Sequence, residues 1–247
     1  MKSEFAIDQE RPENSCGLGV LAFALAFPTL LTWVYFVLLA DGLPSVQQLA
    51  YTVGKVVQFG LPVVWLTWIL RRKIRIRRPG PGLLHGAVFG LLAGAAIYVL
   101  YRWLLLPGGS LTGPIEAIRA KVTGIGIDSQ IAFAVMGIGY SVFHSFLEEY
   151  YWRWFVFAEL RRRTSTGVAI TVSSLGFMAH HVIVLATFFG WDSPITYLIS
   201  LGVALGGAVW AVLYHRTGSL YGAWLSHCLV DAAIFFVGFE MMRPYLG

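Results

Sequence analysis

The sequence predicts an all-α protein: a polytopic transmembrane bundle of about seven spans, with room for an eighth helix that does not cross the bilayer. Three observations predict it. Of 247 residues, 57% are hydrophobic and only 13% charged, far from the usual soluble balance. Apolar runs recur at the length of about 20 residues that a helix needs to cross the hydrocarbon core with its backbone hydrogen bonds closed internally. Basic residues gather directly behind apolar runs, as RRKIRIRR at 71–78 and RRR at 161–163, which is the mark of cytoplasmic loops.

The first span, 17–40, follows a segment with four acidic residues. It is too long for the apolar part of a cleaved leader, so it reads as a retained helix. The second, 50–70, holds Lys55 near one end and Pro62 in its middle, which predicts a kink or a short span. A third span covers 83–106. The polar connector PGGSLTGPIEAIRAKVTGIGID, 107–128, then has the turn residues and length for one short interfacial helix around Pro114 to Val122. Four more spans are expected at 129–158, 167–190, 195–214 and 219–241. Residues 1–128 supply the N-terminal helices and connector, residues 129–247 the segment with most of the reactive side chains, and both form one integral membrane domain.

Putting both basic runs on the cytoplasmic side sets the N-terminus inside and the 107–128 connector outside, in the inner or plasma membrane of a cell. Lipid is therefore the expected surrounding. Nucleic acid is not an expected partner, although the net charge is +5, because no aromatic or glycine-rich recognition motif accompanies the basic runs. Cys16 and Cys228 form neither a metal-type spacing nor a disulfide framework.

Most charge falls in loops and at helix ends, which leaves Glu148, Glu149 and Arg153 in the fourth span and Asp231 in the seventh. Ionisable groups at membrane depth are costly and face a protein interior or a wet cavity. Glu148, His181 and His227 fall at similar depth on three different spans. Residues four apart share a helix face, so Glu149 pairs with Arg153 and His227 with Asp231. Glu148 points about 100° away from Glu149, which leaves it without an ionic partner and suited to act as a general base. His144, four residues before Glu148, shares its face. Each group also has a plain structural explanation: a buried ion pair, an interhelical hydrogen bond, or aromatic packing for Tyr150, Tyr151, Trp152 and Trp154. The recurrence of acids and histidines on three spans at one depth favours a site.

EEYYWR (148–153), FMAHH (177–181) and HCLVD (227–231) resemble, in order and spacing, the EExxxR, FxxxH and HxxxN/D motifs of the CAAX prenyl endopeptidase and bacteriocin-processing (CPBP, or Abi) family of intramembrane proteases. The resemblance covers about 129–240. It implies an endopeptidase acting on a membrane-associated peptide or protein, in which Glu148 and His181 activate a water. His227 and Asp231 would stabilise the oxyanion or hold a site group, with Glu149, Arg153 and Phe177 as structural support. His144 and His180 stand beside them as supporting hydrogen-bond partners. The family's register favours His181 over His180, and on a regular helix only one of the two neighbours should face Glu148. Asp231 stands where many members carry Asn, so its expected task is to orient His227. This chemistry requires no metal, although a glutamate and two histidines leave zinc open as a cofactor. Other readings of the same residues are a proton-coupled transporter, a haem protein with histidine ligands, and a non-catalytic scaffold or immunity protein.

Overall fold

A computed structural model describes residues 16–71, 79–80 and 82–247. The basic run at 71–78 lies, beyond Arg71, outside the described residues. Among those described the helices are α1 Leu18–Leu38, α2 Pro44–Ile69, α3 Gly82–Leu105, α4 Thr112–Gly124, α5 Gln130–Arg163, α6 Thr166–Phe189, α7 Pro194–Thr217 and α8 Leu220–Tyr245, with no strand. All but α4 are long and apolar enough to span a membrane.

The helix ends follow local chemistry. Ser129 and Ser165 cap α5 and α6 by accepting from the backbone N–H three residues on, and Pro44 and Pro194 open α2 and α7, where a missing N–H is harmless. Gly218, at φ +64°, makes the turn from α7 into α8. Two boundaries differ from the sequence reading. α2 starts at Pro44 rather than 50, so Lys55 is well inside the helix and not near its end. α5 continues through Arg161, Arg162 and Arg163, so these are its last turn rather than a loop, where cations complement the helix dipole.

The expected disturbance at Pro62 appears as a widened π segment over Val64–Ile69. Three more such segments occur, at Val34–Leu38, Tyr101–Leu105 and Tyr150–Phe157, and the last follows the two glutamates of α5 directly. Wide turns of this kind re-aim the side chains within them and often lie at functional positions.

Helix contacts explain the small residues. Gly82, Gly86, Gly90 and Gly94 form a buried stripe on α3, and a Cβ at Gly86 would overlap the carbonyl oxygen of Gly222 on α8. Close backbone approach of this sort replaces the missing hydrophobic drive between helices in lipid. Gly86→Ala is expected to destabilise the protein by about 1–3 kcal/mol. Gly139→Ala, whose added methyl meets nothing within 4 Å, should not. Thermal unfolding in detergent compares them, and equal melting temperatures would contradict this packing.

The core gathers around the wide turn of α5, where Tyr151, Trp152, Phe155, Val156 and Phe157 are fully buried. Tyr151 Oη donates to the Ala24 carbonyl of α1 (2.7 Å) and Tyr150 Oη to the Phe59 carbonyl of α2 (3.2 Å). Trp224 Nε1 of α8 donates to the Val142 carbonyl of α5 (2.9 Å). α5 is thereby fixed against its neighbours at the level where its charges sit.

Candidate active site

Glu148 and Glu149 end the regular part of α5 and are 2% and 0% exposed. Buried carboxylates need partners, and each glutamate has a different set. Glu149 Oε1 meets Arg153 Nη1 at 3.1 Å and accepts from His227 Nδ1 at 2.8 Å. Sequence reasoning gave it only the first. Arg153 is itself buried, with its guanidinium 4.7 Å from the Phe177 ring centre and 5.0 Å from that of Trp210. Room for it comes from Gly207 on α7, where a Cβ would stand 3.2 Å from Arg153 Nη2.

Among the described residues no arginine or lysine lies within ion-pair distance of Glu148; it is surrounded by imidazoles. His144 Nε2 and His180 Nε2 are each 3.5 Å from Glu148 Oε1, and His227 Nε2 is 3.7 Å from Oε2. These groups come from α5, α6 and α8, the helices that sequence depth alone brought together. His181 belongs to the same space: donor atoms of Glu148, His180 and His181 all lie within 4.8 Å of one another. Of the two neighbouring histidines only His180 comes within ion-pair distance of Glu148, although the motif register favours His181, whose donor atom lies within 4.8 Å. Their rings touch, with centres 4.2 Å apart at 43°, and lean into one volume despite the angular offset of their backbones.

A carbonyl only accepts, so His181 Nδ1 carries a proton and donates to Phe177 (2.9 Å). Its Nε2 is left as the ring's lone-pair nitrogen when the ring is neutral. His227 donates from Nδ1 to Glu149, which turns Nε2 toward Glu148 and toward Asp231 Oδ1 at 3.6 Å. The closest orienting contact on His227 thus comes from Glu149, while Asp231 faces the opposite nitrogen. Asp231 Oδ2 also lies 3.8 Å from His144 Nδ1, so His144 spans the two acids.

Sequence reasoning missed the aromatic backing. Trp210 stacks on His227 (4.0 Å, 14°), Tyr140 on His144 (4.2 Å, 20°) and Trp152 on His180 (5.8 Å, 7°). Phe177 sits centrally, edge-on to Trp152, Trp210 and His227. Trp210 is fixed in turn by donating from Nε1 to Ser226 Oγ (2.9 Å). Flat packing on one face restricts each ring's rotation and keeps its nitrogens aimed inward. Toward the Gln130 end of the same α5–α8 seam, Phe133, Gly137, Ser141, Phe235 and Phe239 line an apolar recess of about 260 Å³.

The arrangement brings a buried carboxylate, imidazoles with both donor and acceptor nitrogens, and a second acid together between α5, α6 and α8. It can hold a water, accept its proton and stabilise negative charge on an adjacent oxygen. Residues 130–233, which contain all of these groups, match a family model described as Rce1-like, type II CAAX prenyl endopeptidase. No curated protein and no solved structure matches the chain.

Proposed function

We propose, from the match of residues 130–233 to the Rce1-like model of type II CAAX prenyl endopeptidases, that the chain is an intramembrane endopeptidase hydrolysing a peptide bond of a membrane-associated protein or peptide. The observation that carries this reading is the meeting of Glu148 with histidines from three helices inside the bundle. Glu148 takes a proton from a water as that water's oxygen attacks the peptide carbonyl. His181, with Nδ1–H committed to Phe177, offers Nε2 to the same water, and His180 steadies the carboxylate. His227, as an imidazolium with Nδ1–H held by Glu149 and its charge balanced by the surrounding carboxylates, donates through Nε2–H to the oxyanion of the tetrahedral intermediate. The proton held by Glu148 then passes to the departing amine as the C–N bond breaks. Asp231 and His144 keep these partners aligned, and the N-terminus lies on the cytoplasmic side. Purified protein in nanodiscs, given its substrate in ¹⁸O-water, should yield a new carboxylate with one ¹⁸O atom. No cleavage of any membrane-associated substrate would contradict the reading.

This chemistry needs no metal ion. Glu148, His180 and His181 nevertheless supply one oxygen and two nitrogens within 4.8 Å, a donor set that fits zinc, and His181 already has the backing hydrogen bond common to metal-ligating histidines. A bound zinc would supply a Lewis acid. The metal-free reading predicts full activity in protein with far less than one zinc per chain by elemental analysis, and insensitivity to chelators. Stoichiometric zinc with activity lost on chelation would favour the metal reading.

A further inference from the structure

We propose that Lys55 and Gln58 of α2 form a binding site for a carboxylate of the peptide substrate, next to the Glu148 cluster; the proposal rests on the endopeptidase reading above. Lys55 is the only lysine or arginine of α2 within Pro44–Ile69, a helix of 26 residues. An ammonium so far inside a span costs several kcal/mol unless an anion or a wet cavity receives it. Its Nζ donates to Gln58 Oε1 (3.2 Å) and lies 5.4 and 5.3 Å from the Tyr51 and Phe59 ring centres. Those rings hold the cation without neutralising it, and among the described residues no carboxylate is within ion-pair distance.

Gln58 adds the second observation. It is 1% exposed, its Oε1 is taken by Lys55, and its Nε2 has no hydrogen-bond partner. A buried amide donor left open is costly. One charged and one neutral donor on adjacent turns match the two oxygens of a carboxylate.

The site adjoins the reacting groups. Tyr150, the residue after Glu149, bonds the Phe59 backbone, and the Phe59 ring meets Tyr151 edge-on at 6.2 Å. A carboxylate held there would put a peptide bond a few residues away against Glu148. Lipid phosphate has the right charge but belongs at the headgroup level, whereas Lys55 is mid-span, so the occupant comes from the peptide. Its source is either the C-terminal α-carboxylate or an acidic side chain.

The test measures binding, separately from cleavage, in nanodiscs with the full chain carrying Glu148→Gln so that the probe survives. The probe is N-palmitoyl-dansyl-lysyl-valyl-isoleucyl-alanine as the free acid, its C-terminal amide, and an amide with glutamate replacing valine. One or other carboxylate peptide should bind roughly tenfold more tightly than the neutral amide. Preference for the free acid identifies the C-terminus, and recovery by the glutamyl amide identifies a side chain. Adding Lys55→Met should erase the preference while leaving affinity for the neutral amide unchanged, and Lys55→Arg should keep it. Equal binding of all three probes, or a preference that survives Lys55→Met, overturns the proposal. A failed protease reading would appear instead as absent cleavage by the unmutated protein.

Discussion

Replacing Glu148 with Gln is expected to lower the rate of peptide cleavage by about two to four orders of magnitude, with little change in melting temperature. Gln keeps the shape of the side chain and its capacity to accept from His144 and His180, whose Nε2 atoms lie 3.5 Å away. It cannot take a proton from water. Because Arg153 pairs with Glu149 and not with Glu148, the substitution strands no buried cation and the bundle should remain folded. Rates of product formation and thermal unfolding, measured on the same preparations, separate the two effects. Cleavage at the original rate would remove Glu148 from the mechanism.

Arg153→Ala should act on the opposite quantity. Arg153 is 2% exposed and Glu149 0%, and loss of one member of such a pair destabilises by about 3–5 kcal/mol, because the other charge stays buried and unbalanced. The guanidinium also fills the space against Phe177 and Trp210. A large fall in melting temperature and in the amount of inserted protein is expected. Arg153→Met combined with Glu149→Gln removes both charges and should recover much of the stability. Activity should remain low in the double variant, since Glu149 also orients His227 through a 2.8 Å hydrogen bond. A stable and fully active Arg153→Ala protein would contradict this role.

The spans were legible because bilayer thickness writes itself into the length of apolar runs. Their punctuation by proline, serine and glycine also put the short α4 helix between the third and fourth spans. The pairs Glu149–Arg153 and His227–Asp231 could be anticipated, since a four-residue offset fixes which side chains share a helix face. What sequence could not carry was tertiary. A wide turn over Tyr150–Phe157 has no signature in a pattern with a 3.6-residue period. The closeness of both His180 and His181 to Glu148 depends on how the rings lean, and angular offset along one helix axis does not fix that. Trp210 and Tyr140 looked like any aromatic in a greasy span; only neighbours from other helices reveal that they lie flat on histidines. Lys55 was visible as a charge, but a late start for α2 put it near the membrane edge, where a lysine needs no explanation.

The central claim is that a water-activating glutamate inside the bundle cuts membrane-associated polypeptides. Its most direct test is quantitative terminal proteomics on membranes from otherwise identical cells making either the unaltered protein or the Glu148→Gln variant at matched levels. The account predicts at least one membrane-associated protein that accumulates uncut with the variant and shows a new C-terminus only with the unaltered protein. Identical sets of termini in the two membranes would contradict it.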